Sequence, residues 1–309
     1  MDAIPVERLP LPRPLLYEAW HRLRLPKVQR ATGTVDLIHA TSLAVPPRSA
    51  PLVVTIHDLA FLTYPEFFTP RGVSFFMRGL ELAGRDADLI LCPSAATRDH
   101  CARQGLPADK LRVVPLGVET MRATPDEVRR VRERYALHRG YVMWTGTIEP
   151  RKNLRRLIEA FARADVDADL VIVGPEGWNQ DLRELSSPIE DRVRPLGYVP
   201  HDHLGPLYAG ARVFCFPSLM EGFGFPVLEA MAQGTPVVTS EGTSTEEVAG
   251  DAAALVDPRD VDAIKSAIER AFMDDGVVEE ARKLGPQQAS RFSWADTARR
   301  TKQAYEELV

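Results

Sequence analysis

The sequence predicts an α/β protein of two domains, each built on a parallel sheet. Three observations carry this. The chain has 309 residues, enough for two domains that each bury their own core. Short runs rich in Val, Ile and Leu recur along most of it, each followed by a polar turn and a longer helical pattern, which is the signature of βα units. Two of those runs, "ADLILCPSAATRD" in the first half and "ARVFCFPSLMEG" in the second, are alike and both reach Pro-Ser before a helix or loop, which two similar sheets, one per half, would explain.

In chain order, the strand candidates of the first half are "VDLIHA" (35–40), "PLVVTIHD" (51–58), "ADLILCPS" (87–94) and "LRVVPLG" (111–117). A charged stretch follows at 119–140. It contains a helix start at Thr124, with Pro125 next and Glu127 three residues on, a capping box that suits a linker helix. The domain junction is expected there, giving 1–122 and 123–290, with 291–309 as a closing helix capped near Ser293. The second half offers "YVMWTG" (141–146), "ADLVIVGP" (168–175), "VRPLGYV" (193–199), "ARVFCFPS" (211–218), "TPVVTS" (235–240) and "AALV" (253–256). The first 34 residues break the pattern: "VERLPLPRPLLYEAWHRLRLPKVQRATG" (6–33) has four prolines spaced by apolar and basic residues and a basic helix, with no opening strand and no glycine-rich turn.

Composition excludes several classes. Residues 1–120 carry 14 Lys and Arg against 12 Asp and Glu, leaving 24 against 31 for the remainder, so no basic face for duplex nucleic acid is indicated. An N-terminal half facing an anionic surface or substrate is a weak reading of that asymmetry, and charge scatter is the other. Cys92, Cys101 and Cys215 cannot all pair, and two of them lie in apolar runs, which fits buried thiols in a reducing cytoplasm. No stretch approaches the roughly 20 apolar residues that span a bilayer.

The chemistry concentrates in two segments. In "EGFGFPVLEAMAQG" (221–234), Pro226 suits the first turn of a helix and Gly234 its end, while Gly222 and Gly224 leave the preceding amides open to a ligand. Such a helix start, with unpaired N–H groups and the positive end of its dipole, accommodates a phosphate or diphosphate. Glu221 could then accept from sugar hydroxyls and Glu229 from a ribose diol; alternatively Glu229 is an early-helix acid favoured by the dipole. In "WTGTIEPRKNLRRLIEAF" (144–161), Arg151 and Lys152 stand at the start of a helix whose Leu154, Leu157, Ile158 and Phe161 follow helical spacing. Cations there oppose the dipole, and a bound diphosphate would remove the conflict.

Taken in order, "GTIEPRKN", "PSLMEGFGFPVLEAMAQGTPVVTS" and "GDAAALVDPRD" resemble the C-terminal domain of the retaining GT-B glycosyltransferases of family 4, and "VVTIHDLAFLTYPEFFTP" (53–70) is similar to an N-terminal segment of their mannosyltransferase-like branch. The resemblance covers residue 36 to the end. It implies two Rossmann-like domains with parallel sheets facing across a cleft, and a hexose moved from a nucleotide-diphosphate sugar to an acceptor hydroxyl with retention. By resemblance, Arg151 and Lys152 hold the donor diphosphate, Glu221 contacts the donor sugar and Glu229 the ribose. Gly222, Phe223 and Gly224 give loop amides; Phe225, Pro226, Gly146, Tyr198 and Val199 complete the donor site. His57 matches a histidine reaching toward the donor sugar, although a strand-terminal His before Asp can equally be a core residue. GDP-mannose is the expected donor, a UDP-sugar the second; the acceptor is a glycan or a lipid-linked sugar. The closing helix is expected to cross back onto the N-terminal domain.

No cofactor and no catalytic metal are expected. "DAD" (86–88) and "DVDAD" (165–169) precede strands, at the edge opposite a parallel-sheet ligand crevice. "HDH" (201–203) reads as Asp202 capping a helix. The segment "YEAWHRLRLPKVQR" sets Trp20 and Leu23 among Arg22, Arg24, Lys27 and Arg30, a candidate for peripheral contact with the inner face of a membrane, or else a solvated helix. Members of the family begin with a strand and a glycine-rich turn, whereas "DLIHA" here starts at Asp36, so the N-terminal domain is expected to be shortened at its start. That leaves a weak or silent scaffold as one alternative function. A GT-B sugar-nucleotide epimerase and a trehalose- or sucrose-type phosphorylase or synthase are others.

Overall fold

In the computed structural model, which describes residues 5–177 and 180–309, the chain divides into two units: one formed by the residues up to Pro115 with Ala295–Val309, the other by Leu116–Trp294.

The N-terminal unit holds a four-stranded parallel sheet of β1 (Ile38–Ala40), β2 (Leu52–Thr55), β3 (Leu89–Cys92) and β4 (Leu111–Val113), in that spatial order. Val53 pairs with Leu89 and Cys92 with Val113. Continuous apolar runs are what a sheet covered on both faces needs. Leu52, Val54, Ile90 and Cys92 enter one core with Ile56, Leu80 and Cys101, while the alternate residues Val53, Leu89 and Leu91 meet Ala304 of the closing helix Trp294–Glu306 on the other. That helix is tied down further: Thr297 donates to the Pro115 carbonyl at 2.7 Å, and the Tyr305 hydroxyl lies 2.6 Å from His39 Nδ1. Cys92, Cys101 and Cys215 are all buried and free. The Cys92 thiol, 3.9 Å from Cys101, is pushed up by that contact and by burial, and Cys215 by burial.

The basic N-terminal segment is less available than its sequence suggests. Arg24 turns inward to Asp86 at 2.7 Å and to the Val45 and Pro46 carbonyls, so only part of the expected basic face remains on the surface. The first DAD acid is thus an internal ion-pair partner, and Asp88 likewise accepts from Arg48 and from the Leu52 amide. His21, on the helix Arg13–Leu23, is buried against Phe75, with ring centroids 4.3 Å apart, and its Nε2 donates to the Leu43 carbonyl at 2.9 Å. Burial pushes its pKa down to about 4, opposed first by the hydrogen bond to the Leu43 carbonyl and helped to a smaller extent by the nearby Arg78 and Arg24. The unfolded chain protonates this imidazole below about pH 6.5 while the folded chain resists until about 4, so acid favours unfolding through that window. Above pH 6.5 the group contributes no pH dependence. The thermal midpoint of wild type is therefore expected to fall between pH 6.5 and 4.5 more steeply than that of His21→Leu; parallel curves would refute it.

The C-terminal unit holds a six-stranded parallel sheet ordered β10-β9-β8-β5-β6-β7: β5 (Gly140–Thr145), β6 (Ala168–Val173), β7 (Val193–Gly197), β8 (Val213–Phe216), β9 (Val237–Ser240) and β10 (Ala254–Val256). From β5 the chain runs outward to β6 and β7, then returns to β8 on its other side and continues to β9 and β10. The order therefore reverses between β5 and β8. Every residue of β6 and β8 is buried, and Trp144, Tyr141, Phe214 and Phe216 are among the largest fully buried side chains.

Several local expectations change. The junction falls at 115/116 rather than after 122, because Gln233 holds the intervening segment to the C-terminal unit: it accepts from the Ala123 amide at 2.8 Å, donates to Met121 at 3.0 Å, and its own carbonyl accepts from Arg122. The run 111–117 stops being strand at Val113. The Thr124–Glu127 capping box forms at the start of the helix Pro125–Arg134. Asp202 does not cap the helix His201–Gly210, whose N-cap is Pro200; Asp202 lies inside its first turn, and His203 meets the Tyr135 hydroxyl at 2.7 Å. Asp169 is inside β6 rather than before it, buried between Arg139 and Arg194.

Candidate functional site

In open parallel sheets, ligands bind beyond the carboxyl ends of the strands where the order reverses. Here that point lies between β5 and β8, and the loops leaving those two strands are the ones that carry Gly146 to Lys152 and Glu221 to Gly224.

The first loop does not run straight into its helix. Pro150–Lys152 form one 3-10 turn, Asn153 adopts a left-handed conformation at φ 59°, and only then does the helix Leu154–Arg163 begin. Arg151 and Lys152 therefore precede the helix rather than open it. Asn153 is a buried strut whose Nδ2 donates to the carbonyls of Pro217 at 2.8 Å and Pro258 at 2.6 Å, and the Leu219 amide donates to the Arg151 carbonyl at 2.9 Å. The two loops are thus fastened to each other by backbone contacts.

Arg151 lies between two carboxylates. One Nη donates to Glu149 at 2.7 Å, the other to Glu221 at 2.7 Å and to the Met220 carbonyl, and all three side chains are largely withdrawn from solvent. Glu221 also accepts from Ser218 at 3.0 Å. The cation at the helix approach is thus balanced by protein acids. Lys152 differs: its ammonium sits 5.9 Å from the centroid of the Phe216 ring and has no hydrogen bond or ion pair among the described residues. It lies directly over Gly146, where a Cβ would come within 2.4 Å of Nζ.

The second loop enters the nine-residue helix Phe225–Gln233 through Gly224 at φ 120°, a left-handed conformation where a Cβ would also press on Thr245 and Val248. The amides of Phe223, Gly224 and Phe225 have no partner among the described residues. Phe223 is buried and packs edge-on against Phe225 and Phe292, so its side chain is structural. Pro226 occupies the first helical turn.

Glu229, one turn into that helix, accepts a hydrogen bond from the Tyr208 hydroxyl at 2.8 Å, and Tyr208 in turn lies 3.0 Å from Thr145 Oγ1 at the end of β5. Burial holds the Glu229 carboxyl above the usual carboxylate range, partly offset by the Tyr208 hydrogen bond and by His201. Burial and the Glu229 charge hold the Tyr208 phenol well above its ordinary value, so it is a donor. Glu229, Tyr208, Leu204, His201, Phe225 and Trp294 line a cavity of about 580 Å³ within this unit.

The remaining expected residues lie elsewhere. Tyr198 follows β7 and is 82% exposed; Val199 is buried in the core, so its side chain is unavailable to a ligand. His57 belongs to the N-terminal unit, exposed just past β2, with Nε2 donating to the Thr41 carbonyl at 2.9 Å. Glu149, Tyr208, Thr145 and Asn153 were not singled out from sequence. Among the described residues no group of three or more His, Cys, Asp or Glu is placed to hold a metal ion.

Residues 2–122 match the family model described as Glycosyltransferase Family 4, and residues 139–274 the one described as Glycosyl transferases group 1. The O-antigen chain mannosyltransferase B of Escherichia coli is 38% identical, over 96% of this chain and 81% of that protein. The MMP alpha-(1->4)-mannosyltransferase of Mycolicibacterium hassiacum is 30% identical over 90% of this chain and 72% of that protein. A crystal structure of Anabaena HepE in complex with UDP and glucose shares the fold with a TM-score of 0.80 at 21% identity, covering 96% of this chain and 82% of that one. The fold is that of a two-unit α/β protein of the GT-B class. More narrowly, the chain belongs to glycosyltransferase family 4 and is a glycosyltransferase.

Proposed function

We propose that the enzyme moves a hexose, mannose in the first instance, from a nucleotide-diphosphate sugar to an acceptor hydroxyl of a growing glycan or lipid-linked sugar, with retention at the anomeric carbon. The observation that carries this is the Lys152 ammonium, without an ion pair among the described residues, at the reversal point of the sheet, on a loop fastened to the one whose three amides, Phe223 to Phe225, have no partner among those residues either. A diphosphate is the ligand that such donors suit.

In this reading the bond between the anomeric carbon and the donor phosphate oxygen breaks as the acceptor oxygen bonds to the same face, and a donor phosphate oxygen takes the acceptor proton. Charge grows on the departing diphosphate, and Lys152, Arg151 and the helix start stabilise it without reorganising. Glu229 takes the ribose diol and Glu221 the donor sugar. His57 enters only through the family resemblance. GDP-mannose leads as donor, supported by the mannosyltransferase relatives, and a UDP-sugar follows, supported by the UDP complex of the structural neighbour. Exposed Leu15 and Leu23 beside Arg22 support a peripheral contact with the cytoplasmic face of a membrane, and no helix among the described residues is long and apolar enough to cross one.

Thermal shift and titration with GDP, UDP, GDP-mannose, UDP-glucose and UDP-N-acetylglucosamine test this. One nucleotide family is expected to stabilise the wild type, and Lys152→Ala to bind it about tenfold more weakly or worse, the loss of one charge-assisted phosphate contact. No shift with any nucleoside diphosphate would sink the reading.

A further inference from the structure

We propose that Tyr208 is a positioning residue for nucleotide recognition: its hydroxyl, fixed by Thr145, clamps one oxygen of Glu229 so that the other is presented to the ribose diol. The proposal rests on the reading of Glu229 as the ribose acceptor.

A glutamate has three rotatable bonds, and without a partner its carboxylate would spread over several rotamers. Among the described residues Glu229 has no ion pair, its Oε2 accepts a hydrogen bond from the Tyr208 hydroxyl at 2.8 Å, and its Oε1 has no partner. The clamp itself is rigid. Tyr208 is 1% exposed, its ring packs edge-on to Phe214 at 5.2 Å, its carbonyl accepts from Thr235 at 2.7 Å, and Thr145 fixes its hydroxyl from the last position of the central strand. One carboxylate oxygen held inside and one facing the cavity is the arrangement that a pair of vicinal hydroxyls can use. The link is absent from local sequence, since Thr145, Tyr208 and Glu229 come from a strand and two separate helices.

The charged and titratable groups around Glu229 are His201, which with Asp202 lies on the helix bearing Tyr208, and Glu119, Arg122 and Glu127 on the adjoining wall of the cavity. Burial favours the neutral acid and the Tyr208 hydrogen bond favours the carboxylate. Removing the hydroxyl leaves burial opposed only by His201, so the carboxyl titrates at higher pH. Ribose-dependent binding, which needs the anion, is then lost earlier as pH falls.

The test compares GDP with 2′-deoxy-GDP, and UDP with 2′-deoxy-UDP, on wild type, Tyr208→Phe, Thr145→Val and Glu229→Gln, each checked for folding by its thermal midpoint. Wild type is expected to prefer its ribonucleotide about tenfold, the value of one hydrogen bond to a charged group. Tyr208→Phe should bring that preference close to unity and move the acid limb of ribonucleotide binding to higher pH; Thr145→Val should act in the same direction more weakly. A purely structural tyrosine would weaken ribo- and deoxynucleotides equally and leave the ratio and the pH limb unmoved, which overturns the proposal. Should Tyr208→Phe not fold, Thr145→Val decides on the same ratio. If Glu229→Gln leaves the preference intact, or if neither nucleotide binds the wild type, the underlying ribose reading fails instead.

Discussion

Arg151→Ala is expected to lower folding stability by about 3 kcal/mol and kcat/KM by about a hundredfold. The first effect comes from what is left behind. Arg151 is held at 2.7 Å by both Glu149 and Glu221, and all three side chains are mostly out of water. Removing one member of a buried ion cluster leaves the others desolvated without their counter-charge, and here two carboxylates would face each other. The second effect is the loss of a cation beside the departing diphosphate. The two separate in Arg151→Lys. An ammonium preserves the charge but cannot span both acids with a planar fork, so it should recover most of the stability while activity stays reduced. Urea unfolding and initial rates on the three proteins check this; an alanine variant as stable as wild type would show that the cluster is solvated and that its geometry matters little.

The same cluster shows where sequence reading reached its limit. The runs of β2, β3, β6 and β8 were legible because a strand buried on both faces is apolar nearly throughout, Asp169 of β6 with its arginine partners being the charged exception, and the Thr124 capping box because its partners are three residues apart. The helix start between Glu221 and Glu229 was legible from its glycines, Pro226 and Gly234. The partner of Arg151 was not: an anion was expected at that position, and the protein supplies two of its own, one of them 70 residues away. Tyr208 escaped notice because an aromatic in an amphipathic helix is ordinarily core, and its hydroxyl finds Glu229 only after both helices pack. The domain junction moved for a related reason. The charged stretch 119–140, with its capped helix start at Thr124, marked the junction, but Gln233, anonymous in sequence at a helix end, takes three hydrogen bonds with residues 121–123 and draws them into the C-terminal unit.

A second large effect is expected from Gly174→Ala, a site with no functional group at all. Gly174 directly follows β6 at φ 134°, and its amide donates to the Gly197 carbonyl at 2.8 Å. A Cβ there would lie 2.1 Å from the Gly146 carbonyl oxygen and 2.7 Å from its carbon, backbone that cannot rotate away. Gly146 in turn has Lys152 packed over it, so no room exists for the displaced strand end to move without shifting the ammonium proposed to meet the diphosphate. Positive-φ strain of about 1–2 kcal/mol and a backbone clash of about 1–3 kcal/mol together predict a loss near 3 kcal/mol. Gly197→Ala is the matched control: its φ is 63°, yet nothing lies within 4 Å of the added carbon, so only the strain of about 1 kcal/mol applies. In urea, Gly174→Ala should unfold well before Gly197→Ala, and at a temperature where both are folded only Gly174→Ala should lose nucleoside-diphosphate affinity. Equal denaturation midpoints would mean that the strand ends of β5 and β6 yield more readily than their close contact implies. Equal affinities at unequal stability would detach the glycine pair from the diphosphate site and leave it a packing requirement of the sheet.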